Sequence, residues 1–97
     1  MAEPRRASVE GNAVLRLAPH VRFRFDEVRQ TWVVLAPERL LLPDEQAVEI
    51  LQLIDGERAV DTIIDQLVRR HEAPREVIAG DVIKRLQDLV DEGVLQA

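Results

Sequence analysis

Residues 21–26 (VRFRFD) alternate between apolar and charged side chains, which places a valine and two phenylalanines on one side. A period of two predicts a half-buried β-strand. After polar residues that can turn the chain, residues 31–36 (TWVVLA) are rich in β-branched and aromatic side chains and predict the second strand of a hairpin. Residues 38–42 (ERLLL), enclosed by two prolines, fit a short third strand. The pattern therefore predicts two or three antiparallel strands.

A different period, typical of amphipathic α-helices, occurs three times after Pro43. The first helix is predicted to begin after Asp44 as its N-cap and to end before Gly56 as its C′ residue. The second ends before Pro74, which opens the third as its N1 residue, and Gly93 stops the third. The apolar stripes of the three helices comprise Ala47, Ile50, Leu51 and Ile54, then Val60, Ile63, Ile64, Leu67 and Val68, then Ile78, Val82, Leu86, Leu89 and Val90.

Two or three strands are not stable alone in water, so the apolar face of the first strand is expected to pack on the helices. We predict a small α+β domain of winged-helix type, in which the N-terminal strands precede a three-helix bundle. Residues 1–14 show no periodicity and predict a flexible N-terminal tail, which leaves residues 15–97 as a single domain. Gly80, inside the third helix, costs about 1 kcal/mol relative to alanine and predicts a close approach of another backbone.

The 97 residues carry a net charge of −5, which is unevenly distributed. Residues 1–42 have a balance of +2, and residues 43–97 have one of −7. Because an acidic helical half repels phosphate, the charge argues against nucleic acid as the main partner. The chain has no cysteine, no apolar run near the roughly 20 residues of a membrane span and no apolar stretch typical of a signal peptide. We therefore expect a cytoplasmic protein without membrane association.

Residue patterns of catalysis or metal binding do not occur in the sequence. His20 and His71 lie in different predicted elements, and the pattern supplies too few further ligands for a metal. Ser8 has no base nearby, and Asp91 and Glu92 point apart because they are adjacent on a helix. The glycines are scattered and form no phosphate-binding loop. We predict a protein that is not an enzyme and holds no metal or cofactor.

The winged-helix pattern raises DNA binding through the third helix as one alternative. That helix contains Lys84 and Arg85, which a recognition helix would direct at phosphates. It also contains the acidic residues Asp81, Asp88, Asp91 and Glu92. Their field repels a phosphate backbone, so DNA binding is the less favoured alternative.

The third strand, Glu38–Leu42, comes last in the meander and is expected to have one unpaired edge. Such an edge invites another chain to add a strand. Because successive side chains of a strand point to opposite faces, Leu40, Leu41 and Leu42 cannot all enter one core. At least one of them needs a second apolar neighbour, either a ligand or a second subunit. A peptide-binding groove beside the third helix and a homodimer formed by strand exchange both remain open.

The chain resembles the PqqD family of pyrroloquinoline quinone (PQQ) biosynthesis. The residues that carry the resemblance are Arg24–Arg39 (RFDEVRQTWVVLAPER), the acidic turn Asp55–Gly56, and residues 81–95 (DVIKRLQDLVDEGVL). The similarity covers roughly residues 15–95. One departure is residues 91–93 (DEG), where the family often has a lysine between the acid and the glycine.

The resemblance implies a peptide chaperone without catalytic activity. Members of the family bind the precursor peptide PqqA and present it to the radical S-adenosylmethionine enzyme PqqE, which links a Glu and a Tyr of that peptide. The implied fold is three strands followed by three helices, with the peptide added as a strand against the third strand and the third helix. No catalytic, metal or cofactor residue is implied.

Carried onto this sequence, the resemblance places a peptide groove between the third strand and the third helix. Arg39 and Arg85 are expected to pair with acidic groups of the precursor. Arg22, Arg24 and Arg29 either are solvated charges or contact the modifying enzyme. The predicted peptide-binding residues are Arg39, Leu40, Leu41, Leu42, Ile78, Val82, Arg85, Leu86 and Leu89.

Overall fold

The computed structural model describes residues 8–97. It has the α+β architecture that the sequence predicts, with strands followed by three helices. The elements are β1 (Arg16–Leu17), β2 (Arg22–Asp26), β3 (Thr31–Ala36), β4 (Arg39–Leu41), α1 (Glu45–Leu51), α2 (Val60–His71), α3 (Arg75–Asp91) and β5 (Leu95–Gln96).

Three of the strands form an antiparallel sheet in the order β2–β3–β4. Phe23 pairs with Val34, which in turn pairs with Leu41, so these three residues form one row across the sheet. In the β2–β3 turn the Asp26 carboxylate accepts hydrogen bonds from two backbone N–H groups, those of Val28 and Arg29. Within residues 8–97, β4 pairs only with β3, and its other edge is open.

The apolar face of β2 packs on the helices only in part. Val21 and Phe23 pack against the buried core, and Phe23 stacks on Trp32 with ring centroids 4.7 Å apart. Phe25 was expected to join them, but its side chain is 42% exposed. It lies near the end of β2 and contacts Trp32 in a T-shaped arrangement, at a centroid distance of 5.7 Å.

A second, two-stranded sheet, β1 with β5, was not expected from the sequence. Leu17 pairs with Leu95, and the Ala18 N–H donates to the Val94 carbonyl at 2.8 Å. These contacts hold the segment after α3 against the segment that precedes the β2–β3 hairpin. Two-residue strands are too short to show a period, which explains why the pattern did not reveal them.

The predicted flexible tail, residues 1–14, lies partly outside the described residues, because the structure describes the chain from residue 8. Its later part packs on the domain: Val9 is 9% exposed and belongs to the core. The carbonyls of Gly11 and Ala13 accept hydrogen bonds from the first N–H groups of α2, at 2.8 and 2.9 Å. Because α2 has no side-chain cap, this segment supplies its N-terminal partners. Packing therefore begins before residue 15.

The start of α1 follows the sequence more closely than its end does. Asp44 caps α1 as predicted, accepting the Ala47 N–H at 2.9 Å. The prediction that Gly56 is the C′ residue of this helix was wrong, because α1 ends at Leu51. The chain then makes a separate turn, in which the Asp55 carboxylate accepts two backbone N–H bonds and Gly56 has a φ of +79°.

The third helix ends where the sequence predicts. Gly93 has a φ of +82°, and the Val94 N–H donates back to the Leu89 carbonyl at 2.9 Å, which closes the helix terminus. Gly80 does not mark a close backbone approach, because a Cβ at that position would meet nothing within 4 Å. Pro74 is the N-cap of α3 rather than its first helical residue.

The core lies between the β2–β3–β4 sheet and the helices. Its most deeply buried large side chains are Val34, Val60, Ile63, Ile64, Leu86, Val94 and Leu95. No helix in residues 8–97 is long and apolar enough to span a membrane.

Candidate functional site

An open groove of about 360 Å³ runs between the edge of β4 and the last two turns of α3. We call it the β4–α3 groove. Four of the nine residues predicted to bind a peptide line it: Leu41, Leu42, Arg85 and Leu89. The other lining residues are Val34, Pro43, Asp44, Ala47, Asp88 and Glu92.

The three consecutive leucines are divided between two sides of the sheet, as the alternation argument requires. Leu41 pairs with the buried Val34 and packs against the core. Leu40 pairs with Leu35 and is 38% exposed without lining the groove. Leu42 follows the strand, is 63% exposed and lines the groove. Two apolar side chains beside the open edge therefore lack complete cover within residues 8–97.

Arg85 connects the two walls of the β4–α3 groove. Its Nη1 donates to Oδ2 of Asp44 at 2.7 Å, while Oδ1 of Asp44 accepts the Ala47 N–H that caps α1. The hydrogen bond from the Ala47 backbone, together with that from Arg85, holds the pKa of Asp44 below its ordinary value. Arg85 was predicted to meet an acidic group of a ligand, and in the folded chain it already has an acidic partner.

Arg39 joins β4 to the carboxyl end of α3. Its Nη2 donates to the backbone carbonyl of Glu92, the C-cap of α3, at 2.6 Å. The negative end of the helix dipole stabilises a cation at this position. Arg39 therefore has a structural partner at the end of the groove, and its predicted pairing with a ligand stays a prediction.

Three of the predicted peptide-binding residues lie away from the β4–α3 groove. Leu86 is fully buried and offers no surface to a ligand in this conformation. Val82 is 3% exposed, and the half-buried Ile78 lies a further turn toward the start of α3. Both line a separate pocket under α1, α2 and α3 instead. The stripe of α3 was correctly identified, but the stripe alone does not distinguish core positions from groove positions.

Asp44, Asp88 and Glu92 line the β4–α3 groove and were not predicted to do so. Asp88 and Glu92 follow Arg85 and Leu89 at helical spacing on α3, a signal that the sequence contained. No local spacing could indicate the contact of Asp44 with Arg85, because it joins residues 41 positions apart.

His71 lies in the last turn of α2, as predicted, and contacts α1. Its Nε2 lies 2.8 Å from Oε1 of Glu49, and Arg70 donates to the same carboxylate at 3.1 Å. Partial burial raises the pKa of Glu49, but the hydrogen bonds and the charge attraction of His71 and Arg70 together outweigh burial and leave the pKa below its ordinary value. Among residues 8–97 no group of three or more His, Cys, Asp or Glu side chains is arranged to hold a metal ion.

The sequence and fold are similar to those of known proteins. A family model described as coenzyme PQQ synthesis protein D (PqqD) matches residues 31–95. A protein named PqqA binding protein from Bradyrhizobium diazoefficiens is 53% identical over 95 residues, which cover 98% of this chain and 92% of that protein. A protein of the same name from Rhodopseudomonas palustris strain TIE-1 is 56% identical over 92 residues, covering 95% and 90%.

A solved structure shares the fold as well. The solution NMR structure of the PqqD truncation of Methylobacterium extorquens PqqCD has a TM-score of 0.76 and 39% sequence identity to this chain. The match covers 92% of this chain and 95% of that one. That protein is described as a functional, stand-alone recognition element for ribosomally synthesized and post-translationally modified peptides.

Proposed function

The chain belongs to the family of coenzyme PQQ synthesis protein D, and from that premise we propose that it binds the peptide PqqA as an added strand on β4. It then presents the peptide to the radical S-adenosylmethionine enzyme PqqE in the cytoplasm. The protein itself makes and breaks no covalent bond, and its role is to hold one conformation of the peptide.

The observation that carries this proposal is the open edge of β4 beside an exposed wall of α3. In an antiparallel ladder, hydrogen-bonded and non-hydrogen-bonded pairs alternate. One of the adjacent residues Leu40 and Leu41 therefore directs its N–H and C=O away from β3. A peptide strand that accepts and donates at this edge gains main-chain hydrogen bonds that do not depend on its sequence.

Side chains of the β4–α3 groove supply the selectivity. Leu42 and Leu89 form apolar walls on either side and fit an apolar side chain of the peptide. Asp88 and Glu92 make the α3 rim acidic, whereas Arg85 is the cation shared by both walls. Since Arg85 is tied to Asp44, an acidic residue of the peptide binds there only by exchanging that bond.

The opposite face of the sheet is a separate surface. Arg22 and Arg24 project from β2 on the side away from the core, and Leu40 lies on the same side. A bound peptide leaves this face free, so it is the part of the domain that we assign to contact with PqqE.

An NMR titration of isotope-labelled protein with synthetic PqqA tests the proposal. We expect saturable shifts of the backbone amides of β4 and of the last two turns of α3. We also expect slower hydrogen exchange at Leu40 or Leu41, whichever faces the open edge, because a new main-chain bond protects that amide. Absence of shifts at a large excess of peptide would contradict the proposal.

Self-association is the second candidate, because the same open edge of β4 can pair with its own copy. It predicts a mass that increases with concentration and amide shifts at β4 on dilution without any peptide. DNA binding has weaker support, since Lys84 of α3 is hydrogen-bonded to Asp88 at 3.4 Å and Arg85 to Asp44.

A further inference from the structure

A second cavity, of about 200 Å³, lies where α1, α2 and α3 meet. We call it the three-helix pocket. Its floor is apolar and buried: Ile50, Leu67 and Val82 are each 3% exposed. The volume is below the ~300–1,000 Å³ of sites for small-molecule ligands. The pocket is therefore of a size for one side chain rather than for a cofactor.

At the rim of the three-helix pocket the basic side chains have hydrogen-bond partners, whereas one acidic side chain has none within the described part of the chain. Arg85 is bonded to Asp44, and His71 contacts Glu49 at 2.8 Å, so both basic groups have acidic partners. The Asp81 carboxylate has no hydrogen-bond or ion-pair partner among residues 8–97. An apolar floor below an unpaired carboxylate complements a side chain with an aliphatic stem and a cationic end.

The three-helix pocket is continuous with the β4–α3 groove. Arg85 lines both, and it also lines the shallow depression between them, together with Gln46, Asp81 and Asp88. Val82 precedes Leu89 by seven residues on α3, a separation of about 10 Å along the helix. An extended segment covers that distance in about three residues.

We propose that the three-helix pocket is a second subsite for the bound peptide and receives the side chain of a lysine or arginine. The stem lies over Ile78 and Val82, and the cationic group pairs with Asp81. This residue is about three positions away from the one that lies over Leu89. The inference rests on the proposed function, because it requires a peptide in the β4–α3 groove.

Calorimetry with synthetic PqqA tests the contact with Asp81. We expect Asp81→Asn to raise the Kd about two- to fivefold, the range for an exposed ion pair. The control is Glu76→Gln, which removes one acidic charge from an exposed position of the same helix outside both cavities. Equal weakening by both variants would indicate a long-range effect of charge and would overturn the subsite.

Peptide variants identify the occupant. Each lysine of the peptide is replaced in turn by norleucine and each arginine by citrulline, which keep the stem and remove the charge. We expect one replacement to weaken binding to the wild-type protein by the same factor as Asp81→Asn, with no further weakening when both changes are combined. Independent, additive effects for every cationic residue would contradict the pairing.

Methyl NMR separates failure of this subsite from failure of the proposed function. Contacts from a lysine or arginine side chain to the methyl groups of Ile78 and Val82 would support the subsite. Saturable shifts of β4 and Leu89 without any at Ile78 and Val82 would overturn the subsite and leave the proposed function intact. Absence of binding would overturn both. Shifts at Ile78 and Val82 that depend on protein concentration alone would assign the pocket to a second copy.

Discussion

The guanidinium of Arg85 and the carboxylate of Asp44 form a hydrogen bond of 2.7 Å that ties the middle of α3 to the N-cap of α1. The pair lies where the β4–α3 groove adjoins the three-helix pocket, because Arg85 lines both. It also fixes the position of Asp44, which directly follows Pro43, and so holds the nearby open edge of β4 beside α3. The same ion pair therefore stabilises the fold and positions the binding surface.

Asp44 has two separable roles, as helix cap and as ion-pair partner. Asn is a good N-cap, so Asp44→Asn retains the cap and loses only the charge, whereas Asp44→Ala loses both. We expect Asp44→Ala to lower the free energy of unfolding by about 1–2 kcal/mol and Asp44→Asn by about 0.5 kcal/mol. Urea denaturation measures both. Equal losses in the two variants would mean that the cap contributes nothing.

Acid is expected to destabilise the protein. Hydrogen bonds from backbone N–H groups hold the pKa values of Asp26, Asp44 and Asp55 below their ordinary values in the folded state. The unfolded chain therefore takes up protons first as the pH falls, and the stabilisation is lost below about pH 4. Urea midpoints should be level from about pH 7 to 5 and fall toward about pH 2.5, less steeply in Asp44→Asn. A level midpoint across the whole acid range would contradict the shifts.

The sequence predicted the elements whose signals are local. Asp44 as N-cap, Gly93 as helix stop and the strand Thr31–Ala36 all depend on neighbours in the chain, and all agree with the structure. The end of α1 was missed because helical periodicity continues through Ile54 while the backbone already turns after Leu51. A stripe reports the apolar face but not the residue at which the helix ends.

The candidate site was less predictable, because its contacts are long-range. The sequence indicated that Leu42 and Leu89 belong to one groove, but not that Leu86 between the helix turns is fully buried. The exposure of each α3 side chain depends on where α2 and the sheet lie. Local periodicity in the sequence does not give these positions. For the same reason, the hydrogen bond from Arg39 to the Glu92 carbonyl could not be predicted from the sequence.

Two glycines of the α3 segment should respond oppositely to alanine. Gly80 is exposed and helical, and the methyl group of an alanine there would have no neighbour within 4 Å, so Gly80→Ala should raise the free energy of unfolding by about 0.5–1 kcal/mol. Gly93 has a φ of +82°, so Gly93→Ala should lower it by about 1–2 kcal/mol. Thermal unfolding of both variants checks the pair. A loss of stability in Gly80→Ala would contradict the open surroundings of that position.

Leu42 and Leu40 provide the sharpest test of which surface binds peptide. Both are exposed leucines that flank Leu41, yet only Leu42 lines the β4–α3 groove. We expect Leu42→Asn to raise the Kd for PqqA about tenfold, because an apolar contact worth about 1.4 kcal/mol is lost. Leu40→Asn should raise it only about twofold, because Leu40 meets at most one cross-strand side chain of the added strand on the outer face. Calorimetry measures both, and circular dichroism checks that each variant is folded.

The reverse result has an equally definite meaning. If Leu40→Asn weakened binding and Leu42→Asn did not, the peptide would lie on the outer face of the sheet, where Arg22 and Arg24 project from β2. That face is the one proposed to contact the modifying enzyme, so the two surfaces would exchange roles. Because the two substitutions are chemically identical and flank the same residue, a difference between them reports the face and not a general loss of apolar surface.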